Sequence, residues 1–217
     1  MTDPIHVRLV ESQGIIVGQL ALFAAGETLL VDDERGRIVY TPAFIDADTA
    51  RVWFDEIRAR VRWRAERRIM YDREVGVPRL VSHFWLDPPG ESVPQAILDA
   101  ARRVIEQVGE PFNGVGLNLY RNGRDSVAPH NDHLNEIQKA SSIALVSLGA
   151  ARRMSIRAKT APRRVMHIDL EPGSLLVMSY ATQLHYTHAV PKTSNRVDER
   201  ISLAFRVKRP RVEDGRL

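Results

Sequence analysis

Cysteine is absent from this chain of 217 residues, and no apolar run approaches the length of a membrane span. The first absence excludes a disulfide framework and a thiolate metal site. The second argues against a transmembrane helix, and the polar start at Met1-Thr2-Asp3-Pro4 is unlike a signal peptide. We therefore expect one soluble, cytoplasmic domain that is long enough to bury a hydrophobic core.

Lysine is also scarce, because it occurs at four positions and the other 27 of the 31 basic residues are arginine. The formal net charge is +4, and the planar arginine fork suits phosphate groups. Arginines cluster at Arg62-Trp63-Arg64, Arg67-Arg68, Arg152-Arg153 and Arg163-Arg164. A GC-rich genome also enriches arginine throughout a protein, and many acidic residues balance the charge. These clusters alone leave nucleic-acid binding open.

Two histidines and one aspartate have the types and spacing of a metal site. His130 and Asp132 are two residues apart, so in a strand, or at its end, both side chains point to the same side. A second histidine, His188, lies farther along the chain. Two imidazoles and one carboxylate are the ligands of non-haem Fe(II) oxygenases, which keep coordination positions open. The sequence therefore predicts His130, Asp132 and His188 as metal ligands and catalytic residues.

The segment from Arg200 to Arg206 alternates between polar and apolar residues. One side of a strand would carry Arg200, Ser202, Ala204 and Arg206, and the other Ile201, Leu203 and Phe205. Two charges on the inner side of a strand are costly unless an anion pairs with them. Because a guanidinium binds a carboxylate through two parallel hydrogen bonds, the pattern predicts a dicarboxylate co-substrate.

Each feature alone has an ordinary explanation. His-x-Asp sequences are common, and a lone histidine is more often a surface or core residue. Arginines on the same side of an edge strand usually mark a solvated face. The ordered combination is much less expected by chance. A zinc hydrolase also uses two histidines and an aspartate, but it does not need two inward arginines. His185, three residues before His188, is an alternative third ligand.

In this order and spacing, the residues resemble the AlkB-like Fe(II)- and 2-oxoglutarate-dependent dioxygenases. The likeness rests on Asn118-x-Tyr120, the loop Arg121-Asn122-Gly123, His130-x-Asp132, His188-Ala189-Val190-Pro191 and Arg200-x5-Arg206. Arg200 follows His188 by twelve residues, as the family pattern requires. Weaker likeness includes residues 40–46 and 77–79, so the resemblance spans residues 38–208.

The resemblance implies Fe(II) as the cofactor, with 2-oxoglutarate and dioxygen as co-substrates. It implies that Arg200 holds the distal carboxylate of 2-oxoglutarate with Tyr120, Asn118 and Ser202. It also implies that Arg206 is a catalytic residue that binds the co-substrate near its metal-bound carboxylate. The implied reaction is demethylation of N-alkylated bases, such as 1-methyladenine or 3-methylcytosine, in DNA or RNA. Formaldehyde, succinate and CO2 are released. Single strands are the expected preference because a duplex requires more unstacking.

The resemblance places substrate recognition in residues 70–87, with Arg79, His83, Phe84 and Trp85 as the expected contacts. Burial in the core is an equally open explanation for Phe84. Repair members carry an acidic residue two positions after the metal aspartate, where this chain has Leu134. Two alternatives therefore stay open: a related dioxygenase that hydroxylates a protein or small molecule, and a nucleic-acid-binding relative without turnover.

Hydrophobic periodicity predicts an α+β fold with helices over 46–60 and from Ser92-Val93-Pro94-Gln95 to Gly109. Strands are predicted over 115–120, 142–148, 152–158, 165–170, 174–179, 183–190 and 199–208. We expect a double-stranded β-helix, or jelly roll, with two N-terminal helices packed on one sheet. Strands at 7–10 and 14–18 predict a β-rich extension over residues 1–37. Residues 38–217 would form the dioxygenase domain, and the protein is expected to be a monomer.

Overall fold

The structure, a computed structural model, describes residues 26–70, 73–89 and 92–209. Within these ranges the chain forms twelve β-strands in two antiparallel sheets, together with three helices. The strands predicted at 7–10 and 14–18 lie outside the described residues. No helix in the described ranges is long and apolar enough to cross a membrane.

Eight strands form the larger sheet: Thr28–Asp33 (β1), Gly36–Thr41 (β2), Arg64–Met70 (β3), Arg73–Trp85 (β4), Gly114–Tyr120 (β5), Ile143–Gly149 (β7), Leu175–Met178 (β10) and Arg200–Arg206 (β12). Four form the smaller sheet: Val127–His130 (β6), Arg152–Ala158 (β8), Val165–Leu170 (β9) and Tyr186–Val190 (β11). The strand orders are β1-β2-β10-β7-β12-β5-β4-β3 and β6-β11-β8-β9. Two such sheets are consistent with a jelly roll.

The two predicted long helices are present as Ala47–Arg60 (α1) and Gln95–Val108 (α2). The carboxylate of Asp46 caps α1 by accepting a hydrogen bond of 2.9 Å from the Thr49 N–H. Gly109 ends α2 in the left-handed conformation, with φ 76°. Ser92-Val93-Pro94-Gln95 has the sequence of a capping box, but Pro94 is the N-cap residue of α2 and its own side chain makes no cap hydrogen bond. The carboxylate of Glu56 in α1 accepts from the Gln95 N–H at 3.1 Å instead, so Ser92 does not cap this helix.

A hydrophobic core lies between these helices and one face of the larger sheet. Its buried members include Trp53 and Ile57 of α1, with Ile97 and Val104 of α2. Ile201, Leu203 and Phe205 of β12 belong to the same core and are fully buried. Burial of each such side chain stabilises the fold by roughly 1.5–3 kcal/mol. The predicted apolar side of β12 is therefore confirmed.

A second hydrophobic core lies between the two sheets. It contains Leu145 and Leu176 from the larger sheet, and Met154 and Ile168 from the smaller one. Ala204 of β12 belongs to this core, so the polar side of β12 faces the space between the sheets. That space also contains the candidate functional site.

Several elements differ from the sequence-based expectations. The hairpin formed by β3 and β4 was not predicted, and β4 contains Pro78 although proline is disfavoured in interior strands. Tyr180–His185 forms a short helix, α3, where the beginning of a strand over 183–190 was expected. The other predicted strands are confirmed to within two residues at each end.

The position of the helices along the chain also differs. β1 and β2 precede α1, and β3 and β4 lie between α1 and α2, so the helices do not both precede the sheet. The domain boundary predicted after residue 37 falls inside β2, which pairs with β1 on one side and β10 on the other.

Candidate active site

His130 and His188 face each other across two paired strands. His130 is the last residue of β6 and the direct register partner of His188 in β11. Their ring centroids are 4.3 Å apart. Nδ1 of His130 lies 3.0 Å from the Ala128 carbonyl oxygen, and an Nδ1–H that donates to this oxygen leaves Nε2 for a metal ion. Strand register therefore brings together two histidines that are distant in the sequence.

Asp132 completes the predicted group. One potential ligand atom from each of His130, Asp132 and His188 lies within 4.8 Å of the others. Two nitrogens and one carboxylate oxygen this close can bind one ion and leave coordination positions open. His185 lies in the last turn of α3 and is not part of the metal-ligand group found among the described residues. The structure therefore favours His188 over His185.

Two side chains hold Asp132 from opposite ends. Arg206 donates from Nη2 to Oδ1 at 2.9 Å and from Nε to Oδ2 at 3.1 Å. The backbone N–H of Asp132 donates to Oε1 of Gln183 at 3.1 Å. Arg206 thus contacts the carboxylate of a candidate metal ligand, and its predicted contact with a co-substrate stays a prediction.

Burial and neighbouring charges determine the protonation of the three groups. Burial, together with charge repulsion from the neighbouring His130, lowers the pKa of His188 to about 4. Burial also lowers the pKa of His130. Burial raises the pKa of Asp132, but Arg206 and the two imidazoles outweigh it and hold this pKa below its ordinary value. At neutral pH the site therefore contains two neutral imidazoles and one carboxylate, which are the states that metal binding requires.

Arg200 is a fully buried cation beside this group. Its Nη2 donates to Ser147 Oγ at 2.8 Å, while Nε and Nη1 have no hydrogen-bond partner among the described residues. The guanidinium carbon lies 5.2 Å from the centre of the Tyr120 ring. Burial lowers the pKa of Arg200 from its ordinary value. Because a buried charge with unsatisfied donors is costly, this position fits the carboxylate of a bound anion.

A narrow cavity of about 60 Å³ joins Arg200 to the metal-ligand group. Its lining includes all the residues predicted to bind the co-substrate, together with both histidines: Asn118, Tyr120, His130, His188, Arg200, Ser202 and Arg206. Asn118 connects the two sides of this cavity. Its Oδ1 accepts from Nε of Arg79 at 2.6 Å, and its Nδ2 donates to Ser202 Oγ at 3.4 Å.

A larger, open cavity of about 950 Å³ reaches the same group from outside. His130 and Arg206 line both cavities, so the two spaces meet at the metal-ligand group. Cationic side chains on the described part of its wall include Arg79, Arg157 and Lys192. No Phe, Tyr or Trp occurs among the described residues of this lining. The cavity is large enough for a small organic group and carries positive charge.

Of the four residues predicted to bind substrate, Arg79 alone lines the larger cavity. Phe84 packs against the core beneath the helices, so core packing explains it and stacking on a substrate is not supported. His83 and Trp85 share the side of β4 that carries Arg79, but neither lines the cavity. Trp85 has the Lys208 ammonium 5.7 Å from its ring centre.

Leu134, at the position where repair members carry an acidic residue, lies in apolar surroundings. Leu134 packs against the core between the sheets, and Glu136 is exposed. Besides Asp132, the carboxylate found on the described lining of the larger cavity belongs to Glu66 of β3.

Sequence reasoning did not predict Ser147 and Gln183 as parts of the site. Ser147 is 1 % exposed and is the polar residue within the apolar strand β7, which was a signal that its hydroxyl needs a buried partner. Gln183 lies in α3, which was predicted as a strand, so nothing in the sequence indicated its contact with Asp132.

Comparison with known proteins agrees with this geometry. The sequence model of the 2OG-Fe(II) oxygenase superfamily matches residues 37–206. The α-ketoglutarate-dependent dioxygenase alkB homolog 3 of Bos taurus is 30 % identical over 191 residues, which cover 80 % of this chain and 67 % of the relative. The DNA oxidative demethylase ALKBH2 of Mus musculus is 37 % identical over 118 residues, which cover 51 % of this chain and 49 % of the relative.

Solved structures share the fold. The structure of OsALKBH1 superposes with a TM-score of 0.53 at 14 % identity, covering 78 % of this chain and 97 % of that chain. A 2OG-Fe(II) oxygenase family protein from Burkholderia pseudomallei gives a TM-score of 0.55 at 19 % identity, covering 80 % of this chain and 85 % of that chain.

Proposed function

Because the chain belongs to the 2OG-Fe(II) oxygenase superfamily and is an AlkB-like member of it, we propose that it removes methyl groups from N-alkylated bases in DNA or RNA. Bases such as 1-methyladenine and 3-methylcytosine are the proposed substrates, and single strands are the preferred form. The observation that carries this proposal is the His130, Asp132 and His188 group, which lies between the buried Arg200 and a cationic open cavity.

The side chains fit the family's metal, Fe(II). His130 and His188 would each offer a neutral imidazole nitrogen, and Asp132 would offer one carboxylate oxygen. Arg206 neutralises part of the Asp132 charge and fixes the plane of the carboxylate through two hydrogen bonds. Such support orients a metal ligand before the metal arrives, which favours binding.

The side chains also fit 2-oxoglutarate. Arg200 would pair with the distal carboxylate through the Nε and Nη1 donors that have no partner among the described residues. Ser147 and Tyr120 fix the guanidinium from two sides, and Ser202 and Asn118 line the same cavity. A charge-assisted contact of this kind contributes about 1.5–3 kcal/mol to binding.

When bound, Fe(II) with 2-oxoglutarate and dioxygen supplies the oxidation of an N-methyl group, with succinate, CO2 and formaldehyde as products. The chain contributes placement and charge. His130 and Arg206 line both cavities, so a methyl group in the larger cavity and a co-substrate in the smaller one meet at the same ligand group. Tyr120, Leu145 and Met154 close the narrow cavity with largely apolar surface and limit the entry of water.

Nucleic acid as the substrate is supported by the charge of the larger cavity. Arg157 and Lys192 are exposed on its wall and can contact phosphates, while Arg79 lies deeper, bonded to Asn118. A base must leave its stack to reach His130, and this costs less in a single strand. Aromatic stacking by Phe84 is not part of the proposal.

We also propose that the chain is a cytoplasmic monomer, with a jelly roll whose larger sheet is covered by α1 and α2. The domain would include β1 and β2 as well as the predicted residues 38–217, because both strands pair within the larger sheet. Among the described residues, the exposed large apolar side chains are Val52, Trp85 and Leu184, on three different elements. Light scattering after gel filtration tests the monomer, and fractionation of cells that express the tagged chain tests the location.

The decisive experiment is anaerobic loading with Fe(II) and 2-oxoglutarate, followed by aerobic incubation with single-stranded oligonucleotides that each carry one methylated base. We expect each methylated base to lose the mass of one CH2 group, as N–CH3 becomes N–H, with formaldehyde and succinate formed in equal amounts. An Asp132→Ala variant and an unmethylated oligonucleotide are the matched controls. Succinate formation without demethylation of any oligonucleotide would exclude nucleic acid as the substrate and leave the dioxygenase assignment intact.

A further inference from the structure

Helix α3 reaches the metal-ligand group through a single side chain. Gln183 is 2 % exposed, and its Oε1 accepts the hydrogen bond of 3.1 Å from the Asp132 N–H. Its Nε2 donates to Thr182 Oγ1 at 3.3 Å, and the backbone carbonyl oxygen of Gln183 accepts from the Lys159 ammonium at 2.9 Å. The Thr182 contact orients the side-chain amide so that its oxygen points to Asp132, and the Lys159 contact holds the backbone of α3.

We propose that Gln183 is a positioning residue for the Asp132 metal ligand, an inference that rests on the proposed metal site. Asp132 lies just beyond the end of β6 in an irregular segment, so no strand pairing holds its backbone. Arg206 fixes the carboxylate end of the residue and Gln183 fixes the backbone end. With both ends held, the carboxylate is placed before a metal ion binds.

Gln183 can do this because α3 is itself held firmly against the larger sheet. Gly36 lies so close to α3 that a Cβ atom there would come within 2.7 Å of Ser179 Oγ and Thr182 Cγ2. The φ of Gly36 is +122°, and the next residue, Arg37, donates its N–H to Ser179 Oγ at 2.9 Å. The packing of α3 against β2 therefore fixes the position from which the Gln183 side chain reaches Asp132.

A second contact ties the same loop to the strand of the other histidine. The side-chain amide of Asn131 donates to the carbonyl oxygen of Tyr186, the first residue of β11. His188 follows two residues later in this strand. The His130–Asp132 segment is thus anchored at Asn131 to the start of β11 and at Asp132 to α3, and Gln183 supplies the contact that acts on Asp132 itself.

The test is a metal titration that does not depend on turnover. Co(II) resists oxidation and can be titrated into the full-length protein by its visible absorption. Gln183→Met keeps the length of the side chain but removes the acceptor, so we expect the Kd for Co(II) to rise about tenfold, at the lower end of typical effects of outer-sphere substitutions. Gln183→Glu keeps an acceptor at the same reach and should restore the wild-type Kd or better. At saturating metal, the KM for 2-oxoglutarate should stay within about twofold, because Arg200 is untouched.

Lys159→Met is the matched control, since it removes the hydrogen bond to the backbone carbonyl of Gln183 and leaves the side-chain contacts with Asp132 and Thr182. We expect its Kd for Co(II) to equal that of the wild type. A wild-type Kd in Gln183→Met, or an equal loss in Lys159→Met, would overturn the proposal. If Gln183→Met does not fold, Gln183→Asn replaces it under the same criterion, since its shorter side chain withdraws the acceptor. Failure of the metal site itself would appear differently, as Co(II) binding that His130→Ala leaves unchanged.

Discussion

Arg206 and Asp132 form a parallel, two-bond ion pair across 74 residues of sequence, with distances of 2.9 Å and 3.1 Å. The Asp132 side chain is 8 % exposed, so the pair is mostly shielded from water. This contact makes Arg206 part of the support of the metal-ligand group as well as a lining residue of both cavities. An arginine fork and a lysine ammonium are therefore not equivalent at position 206.

We expect Arg206→Lys to weaken Co(II) binding about tenfold, because one point charge cannot fix the plane of the Asp132 carboxylate. Arg206→Ala should abolish turnover, since it also leaves a buried carboxylate unpaired. Co(II) titration and succinate formation measure the two effects. Normal metal binding and turnover in Arg206→Lys would show that charge alone is sufficient.

The two neighbouring histidines give a direct test of the metal ligands. His188→Ala should abolish demethylation and strongly reduce Co(II) binding, because it removes one of three ligands. His185→Ala is the control, since this residue ends α3 outside the ligand group, and it should retain both properties. Activity in His188→Ala together with loss in His185→Ala would reverse the assignment.

The co-substrate site is tested at Arg200. Arg200→Ala should raise the KM for 2-oxoglutarate by roughly ten- to a hundredfold, which corresponds to the loss of a charge-assisted contact of about 1.5–3 kcal/mol. Co(II) binding should persist. Arg153→Ala removes an exposed arginine paired with Asp169 and serves as the control. An unchanged dependence on 2-oxoglutarate in Arg200→Ala would exclude the proposed role.

Nucleic-acid binding is tested on the wall of the larger cavity. Arg157→Gln and Lys192→Gln should each weaken binding of any single-stranded oligonucleotide and lower the slope of log Kd against log salt by about one unit. Arg51→Gln, on the exposed surface of α1, should leave both quantities unchanged. Fluorescence anisotropy over a salt series measures them. If neither cavity variant alters the slope, Arg157 and Lys192 do not contact phosphates.

The loop before β6 provides a stability prediction with a defined pH dependence. Burial raises the pKa of Asp125, but hydrogen bonds from Arg121 outweigh it and hold this pKa below the ordinary value. A depressed folded-state pKa stabilises the fold above the unfolded-state pKa, and this contribution is lost as the pH falls through the folded-state pKa. Asp125→Ala should therefore lower the free energy of unfolding by about 1.5–3 kcal/mol at neutral pH.

That difference should shrink as the pH falls below the ordinary carboxyl pKa of about 4. Urea unfolding of the wild type and of Asp125→Ala, at neutral pH and below about pH 4, measures this difference in the free energy of unfolding. Asp99→Ala removes an exposed ion pair with Arg102 in α2 and should cost less than about 1 kcal/mol. Equal losses for Asp125→Ala at both pH values would contradict the electrostatic explanation.

The sequence predicted the parts of the site that depend on spacing within one strand. The alternation from Arg200 to Arg206 fixed which side chains face the space between the sheets, since strand geometry alone determines it. The spacing of His130 and Asp132 likewise indicated convergence. The pairing of His130 with His188 required the strand register, which is a property of the folded sheet.

The rest depended on contacts that no local pattern encodes. Gln183 lies 51 residues from Asp132, and a short helix without a side-chain cap replaced the expected strand there. Phe84 could not be assigned to the core or the cavity until the β4–β5 register placed it beside the helix-side core. The bidentate contact of Arg206 with Asp132 likewise emerges only when β12 lies near the end of β6.

Strand β12 pairs with both β5 and β7 through all seven of its residues. A slip of one residue would turn Arg200 into the core beneath the helices and push Leu203 and Phe205 out of it, so misregistered molecules are strongly disfavoured. A molecule that can bind 2-oxoglutarate is therefore one in which β12 has paired in the correct register. Counting 2-oxoglutarate binding sites per chain in a refolded preparation would then measure its refolding yield, without any assay of catalysis.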